Sequence, residues 1–245
     1  MMQAMIFAAG LGTRLRPLTD TMPKALVEVC GEPLLSHVVH RLKDCGANRI
    51  VVNVHHFPEQ IISYLSDHDF GLDISISDES GKLLDTGGGI KKALPLFDNS
   101  HPILIHNVDI LSNVDLRRFY DNHGAADAQL LVSSRKTKRY LLFDDDMRLV
   151  GWTNIETGEV KSPYAGLNPA HCRMFAFSGI HTFSPRLAAL MSAFGDKFGI
   201  IDFYLGVCHK SYIRGYVAED LRIMDVGKAE TLADADTFFR NLNIK

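Results

Sequence analysis

The sequence predicts an α/β protein built on a mostly parallel central sheet flanked by helices. Three observations carry that reading. Short apolar runs alternate with helical patterns from Met5 to Asp109, which is the βαβ signature. The first run, Met5-Ile6-Phe7-Ala8-Ala9, is apolar throughout, as a strand covered on both faces requires. A glycine loop, Asn53 and Asp109 each follow the end of such a run, where open α/β sheets bind their ligands.

The elements follow in order. Glu32-Pro33 opens a first helix in which Leu34, Leu35, Val38, Val39 and Leu42 recur at helical spacing, and Cys45-Gly46 closes it. Residues 49–54 form a second strand. Pro58 starts a second helix with Ile61, Ile62 and Leu65 on one face. Residues 72–76 alternate apolar and polar as a third strand. A third helix covers 87–96, opened by glycines, and residues 102–106 make a fourth strand that ends at Asn107-Val108-Asp109.

The pattern changes after residue 125. Strands are expected at 129–133, at 139–143 and 148–152 around an Asp144-Asp145-Asp146 turn, and along 173–183. Residues 155–169 read as loop. Pro185 opens a helix, 200–208 is another, 211–217 and 222–224 are strands, and 228–241 is a closing helix. The expectation is one domain over 1–245, in which the second half, 126–245, adds a smaller β-rich, substrate-side lobe to the first half, 1–125.

Composition excludes several classes. The chain has 245 residues, 46% of them hydrophobic, and a formal charge of −3, a globular balance that offers nucleic acid or an anionic membrane no attraction. The apolar opening lacks a basic flank and reaches glycine too soon for a signal peptide, and no run nears a membrane span. The four cysteines, Cys30, Cys45, Cys172 and Cys208, form no C-x-x-C pair, so buried free thiols in a cytoplasmic protein are expected rather than zinc. Of the eleven histidines only His55-His56 are adjacent, and they read as strand-end or surface residues.

The chemistry concentrates in Gly10-Leu11-Gly12-Thr13-Arg14-Leu15-Arg16-Pro17 and the Pro23-Lys24-Ala25-Leu26 that follows. Glycines let backbone N–H groups approach a ligand, and Arg14, Arg16 and Lys24 supply positive charge, so the loop suits phosphates. It is not a Walker loop, which needs G-x-x-x-x-G-K-S/T, nor a dinucleotide fingerprint, since Leu15 stands where the third glycine belongs. Lys24, just after Pro23, reads as extended. Asp109 at a strand end suits Mg²⁺, which takes oxygen ligands; a turn or a helix cap near Leu116 is the other reading. Glycines at 87–89 beside a helix start would let backbone touch a ligand.

The string G-L-G-T-R-L-R-P-L-T with P-K-A-L resembles the signature of the sugar-1-phosphate nucleotidyltransferases, and D-T-G-G-G-I at 85–90 is most similar to the uridylyltransferases of N-acetylmuramate 1-phosphate. The resemblance implies a Rossmann-like, nucleotide-diphospho-sugar transferase fold. It implies nucleotide contacts at Ala8, Ala9, Gly10, Gly12, Thr13 and Arg14, and at Glu79, Thr86, Gly87 and Gly88. Arg14, Lys24 and Asp109 are implied as catalytic. M-D-V-G-K resembles the family's D-V-G motif before the last helix, making Asp225 a second Mg²⁺ ligand beside Asp109, against an N-cap as the alternative. F-S-G-I at 177–180 is similar to the strand that touches sugar. Sugar-phosphate contacts are implied at Lys24, Asn107, Ser178, Gly179 and Asp202, with Tyr204 a weaker candidate.

The implied reaction joins a nucleoside triphosphate to a sugar 1-phosphate, giving a nucleotide sugar and pyrophosphate with Mg²⁺ as cofactor. UTP with an N-acetylmuramate-like sugar is preferred. GTP with a mannose- or heptose-like phosphate, CTP with a small phosphorylated alcohol, and a non-catalytic nucleotide-sugar binder remain as alternatives. The partners are thus small molecules, with neither nucleic acid nor membrane among them.

Overall fold

The computed structural model describes residues 2–242. The first half runs β1 (Met2–Phe7), a hairpin of β2 (Glu28–Val29) and β3 (Glu32–Pro33), α1 (Leu34–Asp44), β4 (Ala47–Val54), α2 (Pro58–Asp67), β5 (Asp73–Asp78), α3 (Asp85–Ala93), β6 (Ile103–Asn107), β7 (Ile110–Ser112) and α4 (Leu116–Asp121). The second runs β8 (Ala128–Ser133), β9 (Arg139–Phe143), β10 (Leu149–Asn154), β11 (Glu159–Lys161), β12 (Arg173–Phe183), α5 (Ile200–Val207), β13 (Ile213–Val217), β14 (Ile223–Asp225) and α6 (Ala229–Arg240).

β5, β4, β1 and β6 lie side by side and parallel, so their carboxyl ends share one edge. β12 pairs antiparallel with β6 and carries the sheet onward to β8 and β13. The amino-terminal half of β12 pairs instead with β9, from which β10 and β11 continue as the β-rich extension. One ten-stranded sheet therefore crosses the division at residue 125, and β9, β10 and β11 form the β-rich lobe at its end.

The uniform apolarity of β1 has its cause in two packing layers. Ala4 and Ile6 face one core with α1, α2, α4 and α6, while Met5 faces the other with α3 and α5. Burying a side chain of this size is worth about 1.5–3 kcal/mol, so neither face tolerates a polar alternation.

Several boundaries differ from expectation. Glu32-Pro33 belongs to the β2–β3 hairpin, and α1 starts at Leu34. Ile62 is exposed while Ile61 is fully buried, because α2 covers the sheet with a narrow stripe. α3 starts at Asp85 and ends at Ala93, where Pro95 can donate no backbone hydrogen bond and a 3-10 turn takes over. Pro185–Ala193 is 3-10 rather than α-helical, and β11 interrupts the expected loop. Lys24 is not extended but opens a 3-10 turn, Lys24–Leu26; the extended residue is Pro23. Among the four free cysteines only Cys208 is buried. No helix of the described residues is long and apolar enough to cross a membrane.

Tyr204, a weak candidate for the sugar, lies instead in the core. It is fully buried on α5, edge-on to the buried His181 with ring centroids 5.7 Å apart. Its hydroxyl has no partner among the described residues. A buried unpaired hydroxyl adds nothing to stability, so Tyr204→Phe is expected to leave the urea midpoint unchanged or raise it. A loss of more than about 1 kcal/mol in that melt would mean the hydroxyl is bonded after all.

Candidate active site

The shared edge of the four parallel strands opens into a cleft of about 420 Å³. Ala8, Ala9 and Gly10 form its β1 wall, Asn107 and Asp109 its β6 wall, with Glu79 and Thr86 across from them. The chain leaves β1 where Asn53 stands opposite Phe7 in register. The Asn53 side-chain oxygen accepts from the backbone N–H of Ala8 at 2.8 Å and of Ala9 at 3.3 Å, and its amide donates to Glu79 Oε1 at 2.7 Å. The second Glu79 oxygen accepts from Leu84 N–H at 3.2 Å. Burial pushes the Glu79 carboxyl up, and these hydrogen bonds oppose the shift. Asn53 is thus a clamp that joins the loop after β1 to the acid after β5.

The glycine loop is tied down from the other side. Thr19 Oγ1 donates to the Gly12 carbonyl at 2.9 Å, the Thr19 carbonyl accepts from His56 at 3.1 Å, and Gln60 reaches Thr21. His55 hydrogen-bonds the Glu79 carbonyl at 2.7 Å. The histidine pair therefore anchors loops rather than decorating the surface. Gly12 has φ +63°, and a Cβ there would meet Thr19 Cγ2 at 2.8 Å. Among the described residues, Gly10, Leu11 and Gly12 have no intramolecular partner for their backbone N–H groups, which leaves donors for an anion.

The charged centre comes from three segments. Lys24, brought in by its 3-10 turn, pairs with Asp109, and both side chains are largely buried, 11% and 15% exposed. Asp225 ends β14, which pairs antiparallel with β7, and Val226 N–H donates to the Asp109 carbonyl at 2.8 Å. That pairing sets the two aspartates side by side. The Asp225 carboxyl is pushed above its ordinary range by the protein around it and by the Asp109 charge, with Lys24 and Arg14 pulling it back. Arg14 Nη2 stands 3.8 Å from Asp225 Oδ2 at the mouth, where both side chains are about half exposed. A Cβ on Gly227 would lie 2.5 Å from Asp225, 2.6 Å from Arg14 and 2.9 Å from Lys24, so the three converge on that glycine. Neither aspartate caps a helix: Asp115 caps α4 and Lys228 precedes α6.

Other expected positions fall elsewhere. Gly87 and Gly88 sit inside α3 against residues 196–198, and their N–H groups donate to the Phe198 carbonyl at 2.8 and 3.2 Å. Their missing Cβ atoms make room for the Phe198 ring at Gly87 and for the Asp196 carbonyl at Gly88. Thr86 lines the cleft while its hydroxyl accepts from Ile200 N–H at 2.9 Å, holding the start of α5. Thr13 is exposed beside Arg14. Gly179, at φ +75°, makes a bulge in β12 that admits the Asn107 side chain, and the neighbouring Ser178 is buried. Asp202 lines a second, neighbouring cavity and pairs with Lys161 at 3.5 Å. The clamp at Asn53 had one signal in the sequence: it is the lone polar residue in the apolar run 50–54.

A model of the family described as Nucleotidyl transferase matches residues 3–140, more than half of the chain, and the chain belongs to that family. The N-acetylmuramate alpha-1-phosphate uridylyltransferase of Caulobacter vibrioides (strain ATCC 19089 / CIP 103742 / CB 15) is 48% identical over 109 residues, 43% of this chain and 45% of the relative. The protein of the same name from Neisseria meningitidis serogroup B (strain ATCC BAA-335 / MC58) is 45% identical over 115 residues, 46% of this chain and 49% of the relative. The matches span about half the length of these relatives. In fold, the chain is similar to HddC from Yersinia pseudotuberculosis, with TM-score 0.77, 23% identity, and 98% and 100% of the two chains covered. The inositol-1-phosphate CTP transferase from T. maritima aligns with TM-score 0.78 and 14% identity over 100% and 98%.

Removing the clamp tests its weight. Asn53→Ala leaves two loop N–H groups and the Glu79 carboxylate without their buried partner, and is expected to cost about 1–3 kcal/mol in a urea melt. A melt unchanged from the parent would show that the loop and Glu79 are held by other contacts.

Proposed function

We propose that the protein transfers a nucleotidyl group, UTP favoured, to the phosphate of a sugar 1-phosphate, releasing pyrophosphate. The observation that carries this is the convergence of Lys24, Arg14, Asp109 and Asp225 on one point under a glycine loop with free N–H donors. The names of the relatives support uridylyl transfer to an N-acetylmuramate-type sugar. On this reading 1–245 is one domain, in which residues 1–125 hold the nucleotide and 126–245 complete the sugar side.

The chemistry follows from charge. An oxygen of the sugar phosphate attacks the α-phosphorus in line with the departing pyrophosphate: one P–O bond forms and the α–β P–O bond breaks. The attacking phosphate is largely ionised at neutral pH, since its second pKa is about 6, so no general base is needed. The barrier lies in bringing anions together, which positioning and neutralisation must lower. The loop N–H groups and Arg14 hold the triphosphate, and Lys24 supplies a buried cation where charge builds. Glu79 and Asn53 fix the wall against which the base lies.

The donor set also fits Mg²⁺. Two carboxylates drawn together without a third His, Cys, Asp or Glu among the described residues match a hard cation that keeps several waters. Asp109 and Asp225 would hold it, and it would supply neutralisation of the phosphates.

Pyrophosphate release, measured across the four nucleoside triphosphates and a panel of sugar 1-phosphates with Mg²⁺, tests the reading; no release from any pair would refute it. Within that assay Asp109→Asn is expected to lower turnover by roughly 10²–10³, the scale of losing one charge-stabilising group, with secondary structure retained by circular dichroism and a lowered melting temperature because Lys24 loses its buried partner. Gly227→Ala forces Arg14, Lys24 and Asp225 apart and should lose activity with secondary structure unchanged by circular dichroism. Near-parental turnover in Gly227→Ala would show that this convergence is not where the reaction occurs.

A further inference from the structure

A second cavity, of about 530 Å³, lies across the first turn of α5 from the cleft. Gly199, just before α5, lines the cleft, whereas Ile201, Asp202 and Leu205 line the second cavity. Asp202 Oδ2 is 3.0 Å from where a Gly199 Cβ would stand. β12 bridges the two spaces in the same way: Phe177 borders the second cavity, and Gly179 abuts Asn107 of the cleft. Gly199 and Ile201, which border the two spaces, are two residues apart in the chain and so within about one helical turn of 5.4 Å, a reach that a sugar ring and one substituent span.

The chemistry of this cavity is distinctive. Leu141, Trp152, Phe177, Ile201 and Leu205 give it an apolar floor. Arg135, Arg139 and Lys161 stand over that floor against only Glu159 and Asp202. Lys161 uses both acids, at 3.9 and 3.5 Å, and lies 5.2 Å above the Trp152 ring. Arg135 is held by a hydrogen bond from Nη2 to the Phe177 carbonyl at 3.0 Å. Neither Arg135 nor Arg139 has a carboxylate within ion-pair distance among the described residues. Two guanidinium groups are thus left uncompensated over an apolar surface, and the planar fork of a guanidinium matches a carboxylate.

Resting on the nucleotidyl-transfer reading, we propose that this cavity receives a carboxylate-bearing substituent of the sugar, with Arg139 and Arg135 as its partners, so that the protein selects acidic over neutral sugar phosphates. The reacting phosphate stays in the cleft beside Lys24. The apolar floor packs the ring face, and the arginines read the acid at its far side. Both arginines are exposed at the rim, so each is expected to contribute selectivity rather than stability.

Isothermal titration with two probes tests this: N-acetylmuramate 1-phosphate, and N-acetylglucosamine 1-phosphate, which lacks the lactyl carboxylate. Each is titrated into the whole protein with saturating α,β-methylene-UTP and Mg²⁺. The parent is expected to bind the acidic sugar roughly tenfold tighter. Arg139→Gln and Arg135→Gln should each remove most of that preference while leaving the neutral sugar and the melting temperature unchanged. Equal affinity for both probes in the parent, or an unchanged preference in both variants, overturns the proposal. Pyrophosphate release measured alongside separates the two ideas. Release without preference sinks this inference alone; preference without release sinks the proposed reaction alone.

Discussion

Two carboxylates held side by side are the constraint around which the site is built. The β7–β14 pair and the Val226 N–H bond to the Asp109 carbonyl leave Asp109 and Asp225 no freedom to part. At about 4 Å, two like charges repel by roughly 4 kcal/mol in an environment of effective dielectric near 20. Such a pair is relieved by a proton or by cations beside it, and the chain provides two cations of unequal kind. Lys24 meets Asp109 in a largely buried pair, so losing either partner strands a charge away from water. Arg14 meets Asp225 in a half-exposed pair that solvent screens, so it is free to turn toward an incoming anion at little cost. The buried pair fixes the geometry and the exposed arm adapts. A bare glycine at 227 leaves the space between them open.

The sheet makes this arrangement reachable. Because β1, β4, β5 and β6 are parallel and in close register, the residues that follow them gather at one edge, however far apart they lie in the chain. Backbone position alone would leave the loops loose. Asn53 removes that freedom by accepting from Ala8 and Ala9 and donating to Glu79, which couples the loop after β1 to the opposite wall. The polar wall costs something: Glu79 is buried and its charge disfavoured, which two hydrogen bonds oppose without cancelling. Strain of this sort at one edge of an otherwise apolar sheet is what a binding site looks like in energetic terms.

Legibility in the sequence followed locality. Strand β12 and helix α5 were readable almost to the residue, because length and apolar run identify them without help from distant parts. The 3-10 segments at Lys24–Leu26 and Pro185–Ala193 were not, since no side-chain periodicity distinguishes them from an extended or α-helical stretch until neighbours fix the backbone. Gly87 and Gly88 misled for a related reason. A glycine announces close approach, but whether the approaching body is a ligand or the carbonyl of Phe198 is decided by chain from elsewhere in the sequence. Tyr204 likewise looked available on a substrate-side helix, and the core claimed it.

The cleft and the second cavity differ in the same respect, which explains why one was visible and the other was not. Phosphates are held largely by backbone N–H groups, and backbone can only be presented by particular loop shapes. Those shapes need glycine, proline and a few charges at fixed offsets, so they leave a string such as Gly10 to Pro17 in the sequence. A sugar is read by side chains reaching in from wherever the fold has room. Around the second cavity they come from the segment after β8, from β9, β10, β11, β12 and α5, each contributing one to three residues with no motif to betray them. Arg135 and Arg139 look like ordinary surface arginines in the chain. Only the convergence of separate elements, and the fact that both nearby acids are already engaged by Lys161, turns them into a candidate reader of charge. The generic half of such a reaction is therefore written in motifs, and the selective half only in three dimensions.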